Sequence, residues 1–224
     1  MSWKLLVPVV AAGMLVAGCG SDHKQPSVVT TADKLLSLED IPSDYQPVVL
    51  SVTTLQANNA NNLDQMKAAT YSPPQCRPTA DDLLNRAMNS SNTSLLATQG
   101  PDGNSITTLV TTVIRDIAAD RREGTGECST LTTSINAGLM TGATMVTKSR
   151  ELPVDKGAAS DAFVAQQDIT VTLANNPTQT SVTLVGYAIV GEVTVQLTGH
   201  FNSNPIPNAE FVRMFSQAIA AAAR

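Results

Sequence analysis

Histidine is the side chain best suited to act as a general base near neutral pH, and this chain contains two of them. His23 lies in a polar stretch near the start of the chain, where a solvated role is expected. His200 stands beside Phe201 at the end of a predicted strand, a position typical of a structural or solvent-facing histidine. A Ser-His-Asp site would need His200 as its base. The sequence has no G-x-S-x-G, H-E-x-x-H or phosphate-loop motif, so it predicts no catalytic residues.

Paired carboxylates are the other groups that could perform acid–base chemistry. The pairs in this chain are Asp81 with Asp82 and Asp116 with Asp120, and the second pair shares a face only if that segment is helical. Carboxylates on helix surfaces are usually solvated. We therefore expect the run DIAADRRE at residues 116–123 to form a solvated helix face.

Two further carboxylates, Asp155 and Asp161, lie in a predicted loop at residues 152–162. They could bind a cation, but their spacing matches no calcium-binding loop. Since the sequence contains no His/Cys cluster either, we predict neither a metal site nor a cofactor.

Cys19 stands directly behind a short apolar segment that has the character of an export signal. Lys4 precedes the apolar residues 5–16, which are fewer than the roughly 20 needed to span a bilayer core but suit a signal peptide. The tetrapeptide VAGC at residues 16–19 resembles the bacterial lipobox, whose cysteine receives a diacylglyceryl group before cleavage in front of it. We predict a signal peptide at 1–18 and lipidation of Cys19. The alternative is an incidental cysteine within an ordinary secretory signal.

Lipidation would place the protein at the extracytoplasmic face of the cell membrane. One acyl chain gives only marginal binding, whereas a lipoprotein cysteine carries at least two chains, including palmitate-type ones, and stays anchored. Residues 19–30 are polar, contain Pro26 and lack apolar periodicity, so they are expected to form a flexible tether. Residues 31–224 would then form a single folded domain, although two domains are also compatible with this length.

Cys76 and Cys128 remain once Cys19 is assigned to lipidation. In an oxidising compartment we predict that they form a disulfide. Closing a loop of this length would stabilise the fold by about 4 kcal/mol in the chain-entropy model. The alternatives are two free buried thiols or a metal site. A thioredoxin-like redox pair is disfavoured, because the chain has no C-x-x-C motif.

Charge and composition restrict the range of partners. The chain carries a net charge of −5, and loss of the signal, which has one lysine and no acid, makes it one unit more negative. No Lys/Arg cluster offsets this charge, so nucleic acid is excluded as a partner. Aromatic residues make up only 4% of the chain, which disfavours a site that stacks sugars on aromatic rings.

The patterning of the folded part predicts an α+β domain. Val193, Val195 and Leu197 alternate with polar residues, as expected of a half-buried strand. Further strands are predicted at 46–55, 94–98, 105–113, 144–150, 169–173 and 182–189. Helical segments are predicted at 32–41, 63–70 and 79–88, with a turn at 57–62 and another helix from about Val113 to Arg122.

The C-terminal segment has the clearest helical pattern. One apolar stripe contains Phe211, Met214, Phe215, Ala218, Ile219 and Ala222. This stripe needs an apolar sheet face to cover, so we predict a single antiparallel β-sheet with helices packed on one face.

Three short motifs resemble, in order, those of a known family. They are LLSLEDIPSDY at 35–45, SPPQC at 72–76 and ELPVDKGAASDAF at 151–163, and they follow the lipobox. The chain is similar to actinobacterial, mycobacterial-type envelope lipoproteins related to the PknH-like extracellular sensor domain, over roughly residues 35–222. The resemblance implies an antiparallel sheet with helices and a groove for an unknown ligand, and it supplies no catalytic residues. Members borne on kinases carry two disulfides, whereas the mature chain here can form only one within itself.

Three functions compete at this point. The first is a non-enzymatic, membrane-anchored sensor-like domain that binds a small molecule, a lipid or an envelope protein. The second is a lipid or glycolipid carrier, which needs a large apolar cavity between sheet and helices. The third is a hydrolase that uses His200, and a His200→Ala comparison would test it.

Overall fold

A computed structural model describes residues 30–138, 140–174 and 176–224. The predicted signal peptide at 1–18, the lipidated Cys19, His23 and nearly all of the tether lie outside these residues. In the described part, nine antiparallel strands form one sheet in the order β1-β3-β4-β9-β8-β7-β6-β5-β2. The strands are β1 Gln46–Val48, β2 Thr70–Ser72, β3 Thr93–Gln99, β4 Ser105–Thr111, β5 Thr130–Ser134, β6 Thr144–Glu151, β7 Asp161–Thr172, β8 Gln179–Val190 and β9 Val193–Phe201.

Four α-helices accompany the sheet in the described ranges. They are α1 Val52–Lys67, α2 Ala80–Ala87, α3 Ile117–Gly124 and α4 Asn208–Ala222. None of these helices is long and apolar enough to cross a membrane. The prediction of an α+β domain built on one antiparallel sheet is confirmed.

Helix α4 packs on the central strands β8 and β9. Phe211, Met214 and Phe215 are completely buried there against Leu184 and Leu197. The approach is close, because a Cβ atom added to Gly186 would lie 2.7 Å from Cδ2 of Phe215. Glycine at this position lets the phenyl ring rest directly on the backbone of β8.

The other face of the sheet is covered as well, so the prediction that helices pack on one face only is wrong. Neighbouring residues of a strand point to opposite faces. Leu184 therefore packs with α4, whereas Val185 clusters with Phe163 and with Ile117 of α3. Because these strands are apolar on both faces, each face requires its own helical cover.

Helix α1 replaces the last four residues of a predicted strand and the whole of a predicted turn. The strand expected at 46–55 ends at Val48, and Ser51 then caps a helix by accepting a hydrogen bond from the Thr54 amide at 3.0 Å. Val52 packs with Leu84 of α2 and Leu109 of β4. The asparagine-rich segment at 57–62 is therefore helical because apolar residues of α1 pack against the rest of the fold, and not because asparagine favours a helix.

The predicted disulfide between Cys76 and Cys128 is confirmed, with a Cα–Cα distance of 5.3 Å. Cys76 precedes α2, and Cys128 follows α3. The bond therefore ties together the ends of two helices on the face opposite α4. Tyr71 and Leu131 pack around it.

Candidate functional site

A cavity of about 440 Å³ lies between α1, α2 and the sheet face opposite α4. We call it the α1–α2 groove. Its walls combine apolar side chains of the two helices with mostly polar side chains of four adjacent strands. The lining residues are Leu55, Asn59, Asn62, Leu63, Met66, Asp81, Leu84, Asn85, Met88, Ser105, Thr107, Leu109, Gln167, Val185, Tyr187, Gln196 and Thr198.

The floor of the groove follows from the register of the strands. Gln196 of β9 lies between Tyr187 of β8 and Leu109 of β4. The next row places Thr198 between Val185 and Thr107. Since side chains alternate along a strand, these residues share the face that α4 does not touch.

Helix α1 turns two asparagines toward this floor. The groove-lining residues of α1 recur at helical spacing, with Leu55 and Met66 at the ends and Asn59 and Asn62 between them. A helix that only covered a core would carry apolar residues at such positions. The spacing thus identifies Asn59 and Asn62 as polar groups that face a cavity, a role that a predicted turn at 57–62 had hidden.

Two amide side chains among the lining residues have oxygens that are buried and lack a hydrogen-bond partner within the described part of the chain. Asn85 is 6% exposed, and its Oδ1 has no hydrogen-bond partner among the described residues. Its orientation is fixed, because Nδ2 donates to the Gln56 carbonyl at 3.2 Å while Gln56 Nε2 donates to the Asn85 carbonyl at 2.8 Å. Gln196 Oε1 is also buried and unpartnered, while Nε2 of Gln196 donates to Thr198 at 3.2 Å. Such groups destabilise a folded protein unless something supplies the missing donor.

A second cavity of about 240 Å³ adjoins the groove, and we call it the Arg115 pocket. The two cavities share Met66, Asp81, Gln167, Val185 and Tyr187 in their walls. Thr133 lines the Arg115 pocket, and its buried hydroxyl lacks a partner in the described part of the chain. The shared walls make the two cavities one continuous concave surface.

Arg115 organises the second cavity through a buried ion-pair network. Its guanidinium, only 2% exposed, donates from Nε and Nη2 to the Asp120 carboxylate at 2.7 Å each. Nη2 also lies 2.7 Å from Asp81 of α2, and the guanidinium stacks 3.9 Å from the ring centre of Tyr187. The network connects the groove wall at α2 with α3 and the sheet floor.

The environment of this network shifts the protonation of its members. Burial raises the pKa of Tyr187 well above its usual value, so the hydroxyl stays protonated. Burial also raises the pKa of the Asp120 carboxyl, while the hydrogen bonds and the charge of Arg115 oppose that rise. Both shifts have the same main cause, which is the burial of this network away from water.

The prediction of a solvated helix face over residues 116–123 is wrong for Asp120. Its side chain is only 8% exposed, because it neutralises the buried Arg115. Asp116 is exposed and caps α3 by accepting from the Ala119 amide at 2.9 Å. Arg115 was missed in the sequence because an isolated arginine carries no pattern.

The other residues considered for chemistry each contact a partner of their own. His200 lies on the groove face of β9, and its Nδ1 is 3.2 Å from the Thr183 hydroxyl. Asp82 pairs with Arg86, and Asp161 lies 3.4 Å from Arg121. Asp155 accepts a hydrogen bond from the Gly157 amide at 3.0 Å. The described residues contain no group of three or more His, Cys, Asp or Glu side chains that could hold a metal ion.

Comparison with known proteins gives one weak structural similarity. No protein-family model and no curated protein matches the chain. An X-ray structure of an uncharacterized protein from Mycobacterium smegmatis is similar with a TM-score of 0.47 and 13% identity, over 83% of this chain and 93% of that one. A similarity at this level assigns no family.

Proposed function

We propose that this chain is an extracytoplasmic lipoprotein, anchored through Cys19, whose domain binds a ligand in the α1–α2 groove without catalysing a reaction. The observation that carries this proposal is a cavity of about 440 Å³ whose walls combine apolar side chains of two helices with polar side chains of the sheet. The volume falls in the range of roughly 300–1,000 Å³ typical of small-ligand sites. The resemblance to PknH-like sensor domains, in which a groove is expected to hold a ligand, supports the same function.

The anchoring half of the proposal depends on Cys19. Palmitate supplied to cells that produce the protein should label the wild-type chain and leave Cys19→Ser unlabelled. Equal labelling of both proteins, or a mature chain that does not begin at Cys19, would contradict the anchor.

The binding half can be tested by filling the groove. Thr198 lies half-buried on its floor, so Thr198→Trp would occupy the cavity. Thr144→Trp makes the same substitution at an exposed position on β6, outside both cavities. Molecules that co-purify with the exported chain are then identified by mass spectrometry. We expect one to accompany the wild type and Thr144→Trp but not Thr198→Trp, and equal recovery with all three proteins would contradict a groove ligand.

A second candidate function, the lipid or glycolipid carrier, is favoured by the helical wall of the groove. This wall is apolar and consists of Leu55, Leu63 and Met66 of α1 together with Leu84 and Met88 of α2. If the co-purified molecule is a lipid whose acyl chain contacts these residues, the carrier function replaces the sensor-like one. If it is a polar molecule, the carrier function is excluded.

The third candidate function is that of a hydrolase that uses His200. The bond between His200 and Thr183 suggests a structural role for this imidazole. A broad hydrolase screen should therefore give the same result for the wild type and His200→Ala. Loss of a measured activity in that variant would overturn the non-enzymatic proposal.

A further inference from the structure

The edge of the sheet at β1 leaves apolar side chains uncovered. We call this edge, formed by β1 and the following Val49, the β1 edge. In the described ranges six large apolar side chains are exposed, and three of them, Leu38, Val48 and Val49, lie within residues 38–49. Val49 is completely exposed, and Val48 beside it is 42% exposed. Single exposed apolar residues need no explanation, whereas adjacent ones indicate a contact with a partner.

The chain around these valines carries no charge. Residues 46–63, which form β1 and most of α1, contain no Asp, Glu, Lys, Arg or His. Gln46, Ser51, Thr53 and Thr54 lie near the two valines in the chain and are exposed. An uncharged surface loses less free energy on desolvation than a surface that carries ions. The β1 edge can therefore leave water at low cost when an apolar partner covers it.

The proposed tether joins the domain close to this edge. The Thr31 hydroxyl lies 2.8 Å from the Ser94 hydroxyl of β3, which is the strand that pairs with β1. Val48 pairs with Ala97, and that residue is three positions from Ser94, or about 10 Å along the strand. The start of the described chain and the exposed valines therefore lie beside the same strand.

The length of the tether limits which surface of the domain can reach the membrane. Thr30 stands eleven residues after Cys19, so the chain between them spans at most about 40 Å. A compact domain of this length has a radius of about 20 Å, and the path around it to the opposite side is about 60 Å. A bilayer that holds Cys19 can therefore touch the side of the domain near Thr31 but not the far side.

A second copy of the chain fits the β1 edge less well than a bilayer does. An exposed edge strand can pair with another strand through its free N–H and C=O groups. Strand β1 has only three residues, and the central one is Pro47, which has no N–H to donate. Such a strand opposes extension of the sheet, whereas its valines remain available to a surface that needs no backbone pairing.

Charge indicates the kind of bilayer that this edge can contact. Residues 31–45 include four acidic residues and one basic residue, and these are Asp33, Glu39, Asp40 and Asp44 against Lys34. A negatively charged lipid surface would repel these carboxylates. The contact is therefore apolar rather than electrostatic, and it requires uncharged lipid headgroups.

We infer that the β1 edge rests on the membrane and inserts Val48 and Val49 among uncharged lipid headgroups. This inference rests on the proposed anchoring through Cys19 and adds a second point of contact to it. The two contacts together orient the domain. The sheet stands on the bilayer with its β1 edge down, and β6 lies six strand spacings, or about 29 Å, from β1.

Single tryptophans locate the β1 edge relative to the bilayer. The mature chain has no tryptophan, because Trp3 belongs to the predicted signal peptide. Val49→Trp places one indole on the β1 edge, and Thr144→Trp places one at an exposed position of β6. Each exported chain is reconstituted in phosphatidylcholine vesicles whose acyl chains carry bromine close to the headgroup. We expect bromine to quench the fluorescence of Val49→Trp and not that of Thr144→Trp, because an indole at the headgroup level lies next to the quencher.

Double variants separate the apolar contact from mere proximity to the anchor. Val48→Asp combined with Val49→Trp should reduce the quenching, because a carboxylate is costly to bring out of water. Gln179→Asp combined with Val49→Trp adds the same charge at an exposed position of β8 and should leave the quenching unchanged. Cys19→Ser combined with Val49→Trp should show no quenching, because two valines without acyl chains bind a bilayer only weakly.

Quenching of Val49→Trp that is no stronger than that of Thr144→Trp, or that Val48→Asp does not reduce, would overturn the inference. So would a blue shift of the Val49→Trp emission that grows with the concentration of the Cys19→Ser chain, because the edge would then join two copies. Flotation of the vesicles reports on the anchor separately. A chain that floats with the vesicles without quenching of Val49→Trp contradicts only the contact at the β1 edge, whereas a chain that does not float contradicts the anchor and this inference with it.

Discussion

The two faces of the sheet differ in how completely their side chains are packed against the helices that cover them. On the α4 face, Phe211 and Phe215 are completely buried in the main apolar core, and Thr108 carries the unpartnered buried hydroxyl found there among the described residues. On the opposite face, α1 and α2 leave a cavity, and Asn85 and Gln196 bury oxygens that receive no hydrogen bond from the described residues. The two faces therefore differ in packing: the α4 face is a closed apolar core, whereas the opposite face leaves the open cavity in which we propose that a ligand binds.

The largest expected effect is on the α4 face. Phe215→Ala should lower the free energy of unfolding by about 3–5 kcal/mol, because a fully buried ring is removed from a packed core. Leu63→Ala on the half-open groove wall should cost less than about 1.5 kcal/mol, since its side chain is already partly exposed. Urea denaturation compares the two variants, and equal losses would contradict the distinction between the faces.

Arg115 provides the second test, because it stabilises the groove face without being part of an apolar core. Arg115→Met should destabilise the protein by about 3 kcal/mol, since Asp120 is left buried without a counterion. Adding Asp120→Asn should recover part of the loss. Asp81→Asn should cost less than about 1 kcal/mol, because that carboxylate is 59% exposed. If the double variant is no more stable than Arg115→Met, the loss does not come from an uncompensated charge.

Gln196→Met should have a smaller effect of the opposite sign. Removing a buried, unpartnered oxygen should raise the free energy of unfolding, and losing the 3.2 Å bond from Nε2 to Thr198 should offset part of that gain, so we expect a net rise of less than about 1 kcal/mol in the ligand-free protein. Thermal unfolding at matched concentrations measures the change, and the control is Gln179→Met, the same substitution at an exposed position of β8. A clear loss of stability in Gln196→Met would show that this side chain supports the fold.

The smallest effect concerns alkaline pH. The pKa values of Tyr45, Tyr71 and Tyr187 are all raised by burial, so each tyrosine ionises in the unfolded chain before it ionises in the folded one. Stability should therefore be undiminished below the unfolded pKa of about 10 and fall as the pH rises above it. Tyr187→Phe should make this fall shallower. Urea denaturation at pH 9 and pH 11 measures this loss of stability. If Tyr187→Phe loses as much stability between these pH values as the wild type, the raised pKa of Tyr187 does not contribute to the loss.

Periodic patterns explain which parts of the fold could be predicted from the sequence. Helix α4 and strand β9 each repeat apolar residues at a single period, and the structure has a helix and a strand over those residues. The Cys76–Cys128 bond followed from counting cysteines. The first part of α1 was missed, because the asparagine-rich residues 57–62 have the composition of a turn while the residues that hold the helix come from α2 and β4; its last part overlaps the helix predicted at 63–70.

The candidate site was largely invisible in the sequence for a related reason. Tyr187, Gln196 and Asn85 lie on different elements, and only the sheet register brings them together. Arg115 precedes a charged run that looks solvated, and the burial of Asp120 depends on that single neighbouring cation. Patterns along the chain report on faces of individual elements, whereas this site is formed between elements.

Hydrogen exchange of the exported chain, with its co-purified molecule bound and after that molecule has been removed, tests the distinction between the faces most directly. A ligand in the groove should slow amide exchange in α1 and α2, at residues 52–67 and 80–87, and leave α4 at 208–222 unchanged. Slower exchange in α4 alone, or no change in α1 and α2, would contradict a ligand site on the face opposite α4.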